Sequence, residues 1–332
     1  MEPWEFMQKQ SLPYEVKITY AKLRAREFYE KLEGNVFCSV GGLDSTTLLL
    51  FLRKYISKDI VGVSVSSLED KSVQAVHHQL DNMIFLKPEK SKVQVIKEFG
   101  YPVISKTTAD KIEQIQNPNE KNATIRHAII TGETGKQGGY KNSRYMRLSD
   151  KWQRLFVEQE APFKVSGKCC YYMKEKPCDR YSKESGQFVY MALMAAEHGR
   201  REISLIKNGC NYYGKTVTRS CPFAIFTKTD LLKLALELDV PVPTIYGDIV
   251  ELPDGRLVTT KAKRTGCTMC GFGIHLEKRP HRFDRLREND YKQWHFWMYD
   301  QGWGKVLDYI GVEWEEYQPS MGLPFIPPGQ RE

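Results

Sequence analysis

Residues 36–47 read VFCSVGGLDSTT, a short apolar strand running through two glycines and Asp-Ser-Thr into the apolar helix LLLFLRKYI. A strand that delivers a glycine turn straight into a helix N-terminus suits a phosphate. The first-turn N–H groups have no partner within the helix, and the positive end of its dipole faces the anion. Gly41 and Gly42 are expected to supply positive φ and close backbone approach. An ordinary strand-to-helix turn also accounts for two glycines. The order G-G-x-D-S-T argues for phosphate chemistry, and so does the second buried strand IVGVSVSS (60–67), of the kind a parallel α/β sheet uses.

The two commoner nucleotide loops are absent. GETGKQGG (132–139) has a Gly-Lys but neither the glycine spacing nor the Ser/Thr of G-x-x-x-x-G-K-[ST], and no G-x-G-x-x-G follows a strand. The eight cysteines carry the second signal. Cys38 and Cys221 suit buried inert thiols. Six others cluster in sequence: Cys169 and Cys170 in GKCCYYMKEKP, Cys178 beyond it, Cys210 in KNGCNYY, and Cys267 with Cys270 in RTGCTMCGFG. A C-C pair with a distant C-x-x-C supplies four thiolates, enough for structural zinc or for an iron–sulfur cluster.

The elements that must position these groups follow a β-α-β-α-β rhythm. A helix is predicted over 17–32, then the strand at Val36, helix 45–56, strand 60–66, helix 71–81, the short strand NMIFLK, helix 91–99 and the strand YPVIS (101–105). That rhythm predicts an α/β fold with a doubly wound, mainly parallel sheet. ADKIEQIQ and ATIRHAII read as further helices, 131–144 as an exposed loop, and 188–197 as a helix. Composition shifts near PDGR (253–256). The expected organisation is an N-terminal helical arm (1–30), a nucleotide-binding domain (31–252) and a Cys- and aromatic-rich, mostly helical subdomain (253–332).

At 332 residues the chain can bury one large α/β core with an appended subdomain. It has no eighteen-residue apolar run and no signal-type N-terminus, so it is read as soluble and cytoplasmic, without a membrane partner. The net charge of +8 fits a polyanionic partner or a solvated basic surface equally.

The turn resembles the pyrophosphate loop of the ATP-pyrophosphatase superfamily, written S-G-G-x-D-S, with Val40 here in place of the first serine. GKCCYYMKEKP resembles the K-C-C-x-x-x-K-x-x-P element of sulfonucleotide reductases. The likeness continues through VYMALMAAEHGRREISLIKNGC, CPFAIFTKTDLLKLA, VPTIYGDIV, RTGCTMCGFGIHLEKRPHRFDRL and GKVLDYIGVEW. Together these resemble the phosphoadenosine-phosphosulfate (PAPS) reductase-like family and imply an adenine nucleotide alpha-hydrolase-like fold.

The resemblance implies ATP, Mg²⁺ and a [4Fe–4S] cluster as cofactors. Cys169, Cys170, Cys267 and Cys270 become the cluster ligands, with Cys210 or Cys178 in reserve. Ser39, Gly41, Gly42, Asp44, Ser45 and Thr46 would hold the β and γ phosphates, Asp44 through Mg²⁺. Val63, Ser64, Val65 and Ser66 would receive adenine at the strand end. Lys168, Lys174, Arg200 and Arg201 are the cations for the α-phosphate and the acceptor, with Asp44, Lys174 and Arg201 acting in catalysis.

The tail GLPFIPPGQRE has no cysteine to attack a sulfate sulfur, which disfavours a thiol-dependent reductase. The expected reaction is AMP- and pyrophosphate-forming sulfur transfer to a nucleic acid, as in DNA phosphorothioation or tRNA thiolation. A PAPS or APS reductase and a non-catalytic accessory subunit are the alternatives. The expected partners are an adenine nucleotide, a nucleic-acid acceptor, a sulfur donor such as a cysteine desulfurase, and a second copy of the chain in a homodimer. His275 and His281 read as packing histidines, and Trp294, Trp297 and Met298 as core or cluster cover.

Overall fold

The computed structural model describes residues 2–66, 69–135, 143, 145–197 and 199–315, and of Arg200 the backbone alone. The chain opens with helices α1 (Pro3–Gln10) and α2 (Tyr14–Lys31), then strand β1 (Val36–Val40) and helix α3 (Leu43–Tyr55). Next come β2 (Val61–Val65), α4 (Lys71–Gln79), β3 (Met83–Leu86), α5 (Lys92–Phe99) and β4 (Val103–Ile104). Helices α6 (Lys106–Gln116), α7 (Ala123–Thr131), α8 (Asp150–Gln153) and α9 (Lys176–Ser185) follow. Strand β5 (Phe188–Tyr190) precedes α10 (Arg200–Asn208), β6 (Asn211–Tyr213), β7 (Thr218–Ser220) and α11 (Lys228–Glu237). The hairpin β8 (Ile249–Glu251) and β9 (Leu257–Thr259) leads to β10 (Gly271–Phe272), α12 (Arg282–Asn289), α13 (Tyr291–His295) and α14 (Trp303–Ile310). Among the described residues no helix is long and apolar enough to cross a membrane.

Two compact units share these elements, residues 1–89 with 172–267, and residues 90–171 with 268–332. The first holds a six-stranded sheet in the order β3-β2-β1-β5-β7-β6. Its first five strands are parallel, and β6 closes the edge antiparallel to β7. Strands β1, β2 and β3 therefore wind one way and β5 and β7 the other, which makes the β1/β5 boundary the switch point of a doubly wound sheet.

The core of this unit explains why its short strands hold. Val36, Phe37, Cys38 and Val40 of β1 are all buried. Ala21, Ala25 and Phe28 repeat at helical spacing on α2 and are fully buried. The Phe28 ring meets Tyr190 of β5 edge-on at 5.0 Å, and the Tyr190 hydroxyl donates to the Ala25 carbonyl at 2.6 Å. Helix α2 is thus core, where the sequence suggested an arm. PDGR, read as a boundary, is the turn of the β8–β9 hairpin, closed by Leu252 N–H to Arg256 O at 2.9 Å.

The second unit is mainly helical around an aromatic core. Trp303 and Phe283 are fully buried, with ring contacts Tyr101–Trp303 at 5.3 Å and Phe283–Trp303 at 5.7 Å. Trp294, Trp297 and Met298 are buried here, as their spacing suggested. His281 accepts Asp284 N–H at 3.2 Å as the N-cap of α12, a structural role.

Two expectations fail. YPVIS does not extend the large sheet; its Val103 and Ile104 pair in parallel with Gly271 and Phe272 in the second unit. An apolar run says only that a strand is buried, and a partner 168 positions away decides where. The helix predicted over 188–197 begins as strand β5 (Phe-Val-Tyr), continues as a loop with a 3-10 turn at Ala195–Glu197, and the α-helix starts only at Arg200. The strand residues favour β structure and pair with β1 and β7, so the Met- and Ala-rich run that suggested helix only follows the strand.

A buried ion pair ties α2 to α11. Lys17 Nζ lies 2.7 Å from Asp230 Oδ2, with side chains 5% and 12% exposed. The same oxygen accepts Thr227 N–H at 2.7 Å and the Thr227 hydroxyl at 2.8 Å. Lys17→Ala leaves that carboxylate uncompensated in the core and should cost about 3 kcal/mol in urea unfolding. A loss under about 1 kcal/mol would mean that water replaces the ammonium.

Candidate functional site

The carboxyl end of β1 runs through Gly41 and Gly42 into α3 at the switch point, where open α/β sheets leave a crevice for ligands. Gly42 is extended, at φ −100° and ψ −166°, and neither glycine of the turn lies in the left-handed region. Space, not φ, accounts for Gly42. A Cβ there would lie 2.4 Å from the Tyr246 hydroxyl oxygen and 3.0 Å from Thr265 Oγ1. At Gly41 a Cβ would meet only ordinary contacts, with Ser45 Oγ at 3.8 Å and Glu69 Oε1 at 3.9 Å.

Hydroxyls line the turn. Leu43 N–H donates to Tyr246 Oη at 3.1 Å, and that oxygen is 2.7 Å from Thr265 Oγ1. Ser45 Oγ accepts Gly41 N–H at 2.7 Å and donates to Gly42 O at 3.0 Å. The Thr46 hydroxyl is buried and donates to Gly42 O at 3.2 Å, so it braces the turn from behind. Val40 is 4% exposed and belongs to the core, so a hydroxyl at that position would enter apolar surroundings.

Two ion pairs flank the turn within the same unit. Lys228 Nζ lies 2.6 Å from Asp44 Oδ1, and Lys174 Nζ lies 3.0 Å from Glu69 Oε1. Burial raises the Glu69 carboxyl above its usual range, while Lys174 opposes that shift by charge and hydrogen bonding. Asp44 and Lys174 are therefore both gathered at the turn. Lys228 comes from the N-terminus of α11, where the capping box of Thr227 and Asp230 sets the helix start.

Cys178 faces the same end of β1. Burial pushes its thiol up, and a hydrogen bond with the Ser39 hydroxyl opposes the rise. His77 on α4 is 1% exposed; its Nδ1 is 3.1 Å from the Ser64 hydroxyl of β2, and its ring lies against the Gly41 backbone. His77 Nε2 is buried with no hydrogen-bond partner among the described residues.

The remaining expected residues lie as follows. Val63, Ser64 and Val65 are buried, and β2 is paired on both edges, so the exposed strand end is Ser66. Its N–H bonds Leu86 O at 2.7 Å. Arg201 pairs with Glu197, whose other oxygen is 3.1 Å from Arg264. The Arg200 side chain lies outside the described residues, as do Lys136 to Asn142 of the basic loop. Lys168, in the second unit, pairs with Glu113 at 2.6 Å.

Cys210 is a core thiol against the Tyr20 hydroxyl, and Cys38 and Cys221 are fully buried. Among the described residues no group of three or more His, Cys, Asp or Glu is placed to hold a metal ion. Cys267 belongs to the first unit and Cys169, Cys170 and Cys270 to the second; no step below passes through a cluster.

Sequence reasoning missed Glu69, His77, Lys228, Tyr246 and Thr265. Only Lys228 left a local signal, a lysine at the first position of a helix with a Thr-x-x-Asp cap.

Fold and site together define a doubly wound α/β protein with a glycine strand–turn–helix at its switch point. No family model matches the chain, and no curated protein matches it. Among solved structures it is similar to the phosphoadenylyl-sulfate (PAPS) reductase from Candida auris in its phosphate complex. The identity is 11%, covering 70% of this chain and 91% of that one, with a TM-score of 0.37. It is also similar to the U34-tRNA thiolase NcsA from Methanococcus maripaludis with its [4Fe-4S] cluster, at 12% identity, covering 89% of this chain and 80% of that one, with a TM-score of 0.35. The fold assignment rests on the strand order, not on these values.

Burial pushes His77 down to about 4 from an ordinary 6.5, with only a partial offset from the Gly41 backbone. The unfolded chain therefore takes up a proton below pH 6.5 that the folded chain refuses until about pH 4. Stability should be unaffected above that window and fall as pH drops through it, by on the order of 3 kcal/mol. Urea unfolding of the parent and His77→Gln at pH 7 and pH 4.5 checks this. Equal pH dependence in the two proteins would show that His77 is not held neutral.

Proposed function

We propose that this protein binds an adenine nucleoside triphosphate at the Gly41–Gly42 turn and cleaves it between the α and β phosphates to activate a nucleic-acid acceptor for sulfur transfer. The observation that supports this reading best is the turn itself: a helix N-terminus at the switch point, flanked by Asp44–Lys228 and Glu69–Lys174. The pyrophosphate end of the nucleotide meets the N–H groups of the α3 first turn and the positive end of its dipole. Lys228 turns from Asp44 toward the phosphates, and Asp44 becomes the carboxylate that would hold Mg²⁺. That ion, when bound, supplies charge neutralisation for the departing pyrophosphate.

In the reaction an acceptor oxygen attacks the α-phosphorus, the bond from that phosphorus to the bridging oxygen breaks, and pyrophosphate leaves. A sulfur nucleophile then displaces AMP from the activated acceptor. Lys174, held by Glu69, is placed to stabilise the charge that develops on the phosphoryl oxygens. The polyanionic acceptor is supported by the distribution of charge. Residues 90–171 carry fifteen Lys and Arg against eight Asp and Glu, most of the chain's net +8.

AMP and pyrophosphate should appear together, in equal amounts, and only when an acceptor is present. Asp44→Ala and Lys228→Ala should each lower the rate at least tenfold while the chain stays folded. Chromatographic counting of AMP and pyrophosphate checks this, and formation of ADP and phosphate would overturn it. One observation favours a second reading, a thiol-dependent sulfonucleotide reductase: Cys178 bonds Ser39 at the end of β1 and senses the Lys174 charge. Sulfite released from a sulfonucleotide with a dithiol reductant, and lost in Cys178→Ser, would put that reading in place of the first.

Iron analysis of anaerobically purified protein tests the four-cysteine expectation by itself. A resident cluster gives about four irons per chain, lost in Cys267→Ser and Cys270→Ser. Iron-free protein that turns over fully would remove the cluster from this site.

A further inference from the structure

We infer that Thr265 is a polyphosphate-binding hydroxyl of this site and that Tyr246 is the residue that positions and polarises it. The inference rests on the reading of the Gly41–Gly42 turn as a phosphate site, and deepens it. Neither residue lies in the glycine motif: Tyr246 follows α11, and Thr265 lies in the segment leading to the C-x-x-C.

Proton accounting gives the two hydroxyls different roles. Tyr246 is 3% exposed, and its oxygen already accepts the Leu43 N–H at 3.1 Å. Its own proton is therefore best directed to Thr265 Oγ1, 2.7 Å away. That leaves the Thr265 proton to point outward, at the end of a chain running from backbone N–H to Tyr246 to Thr265. Each bond in such a chain polarises the next, which strengthens the terminal donor. Thr265 is half-buried, so its hydroxyl can meet a ligand where Tyr246 cannot.

The surroundings fit an anion. Thr265 Oγ1 would be 3.0 Å from a Cβ on Gly42, which places it over the turn. The preceding residue, Arg264, shares the Glu197 carboxylate with Arg201. Independently, His77 lies against the Gly41 backbone, with a buried Nε2 that has no partner among the described residues. Val40 faces the core and offers no polar atom, and of the two hydroxyls over Gly42, those of Tyr246 and Thr265, the less buried is Thr265.

Calorimetric binding of inorganic pyrophosphate, ATP and adenosine to the full chain tests this. Thr265→Val keeps the side-chain shape and should weaken pyrophosphate and ATP about tenfold or more while adenosine binds as before. Thr265→Ser should bind pyrophosphate within about threefold of the parent. Tyr246→Phe should weaken pyrophosphate about fivefold in the parent but less than twofold in the Thr265→Val background, because it acts through Thr265. Equal loss in both backgrounds would overturn the positioning role and leave Tyr246 as a brace for the turn. Unchanged pyrophosphate affinity in Thr265→Val would overturn the inference while leaving the nucleotide site intact. A folded parent that binds neither pyrophosphate nor ATP would remove the site and the inference together. Retained adenosine binding and near-UV circular dichroism separate these outcomes from misfolding.

Discussion

Four backbone N–H groups at the start of any α-helix have no acceptor within the helix, and in α3 they sit at the one place in the sheet where neighbouring connections part. Much of the first unit can be read as a response to that deficit. Tyr246 crosses from the segment after α11 to answer Leu43, while Ser45 folds back to brace the turn between Gly41 N–H and Gly42 O. Glycine at position 42 follows from the first of these, since any side chain would collide with the tyrosine hydroxyl. These bonds hold the turn in a fixed arrangement, and a preorganised turn is what would take an anion without a large reorganisation cost.

The charges around the turn are paired in a way that keeps the region close to neutral before a ligand arrives. Asp44 and Glu69 each hold a lysine, and the Glu69 pair is shielded enough for burial to oppose ionisation of the carboxyl. If a polyanion binds there as proposed, it would recruit those lysines, and in its absence they carry no unopposed positive charge. His77 adds a neutral wall behind the turn: a ring too buried to charge contributes hydrogen bonding without repelling the neighbouring lysines.

The strand–turn–helix and the parallel sheet were legible in the sequence because their signals are local. Apolar β1 and β2, the paired glycines and the acidic first turn lie within thirty residues of one another. The second half of the sheet was not. Strands β5 and β7 are three residues each, too short for periodicity, and β5 runs straight into the helix-favouring MALMAA. The destination of Val103 and Ile104 depended on Gly271 and Phe272, which no window on the sequence connects. At the site, Asp44 and Lys174 could be named from motifs. Tyr246 and Thr265 reach the turn across 203 and more positions, and nothing in their immediate neighbours announces it.

The capping network at the head of α11 couples two distant parts of the first unit. Lys17 bonds Asp230, Asp230 holds Thr227, and the next residue, Lys228, bonds Asp44 at the glycine turn. A helix that begins at residue 14 therefore helps fix the starting turn from which the lysine paired with Asp44 extends. Coupling of this kind is reciprocal: whatever free energy the docked helix lends to anion capture, a captured anion returns to the docking of the helix. If the turn binds the nucleotide as proposed, the N-terminal segment is in that sense its thermodynamic partner, and trimming it to make a smaller domain would weaken binding without touching a single residue that meets the ligand.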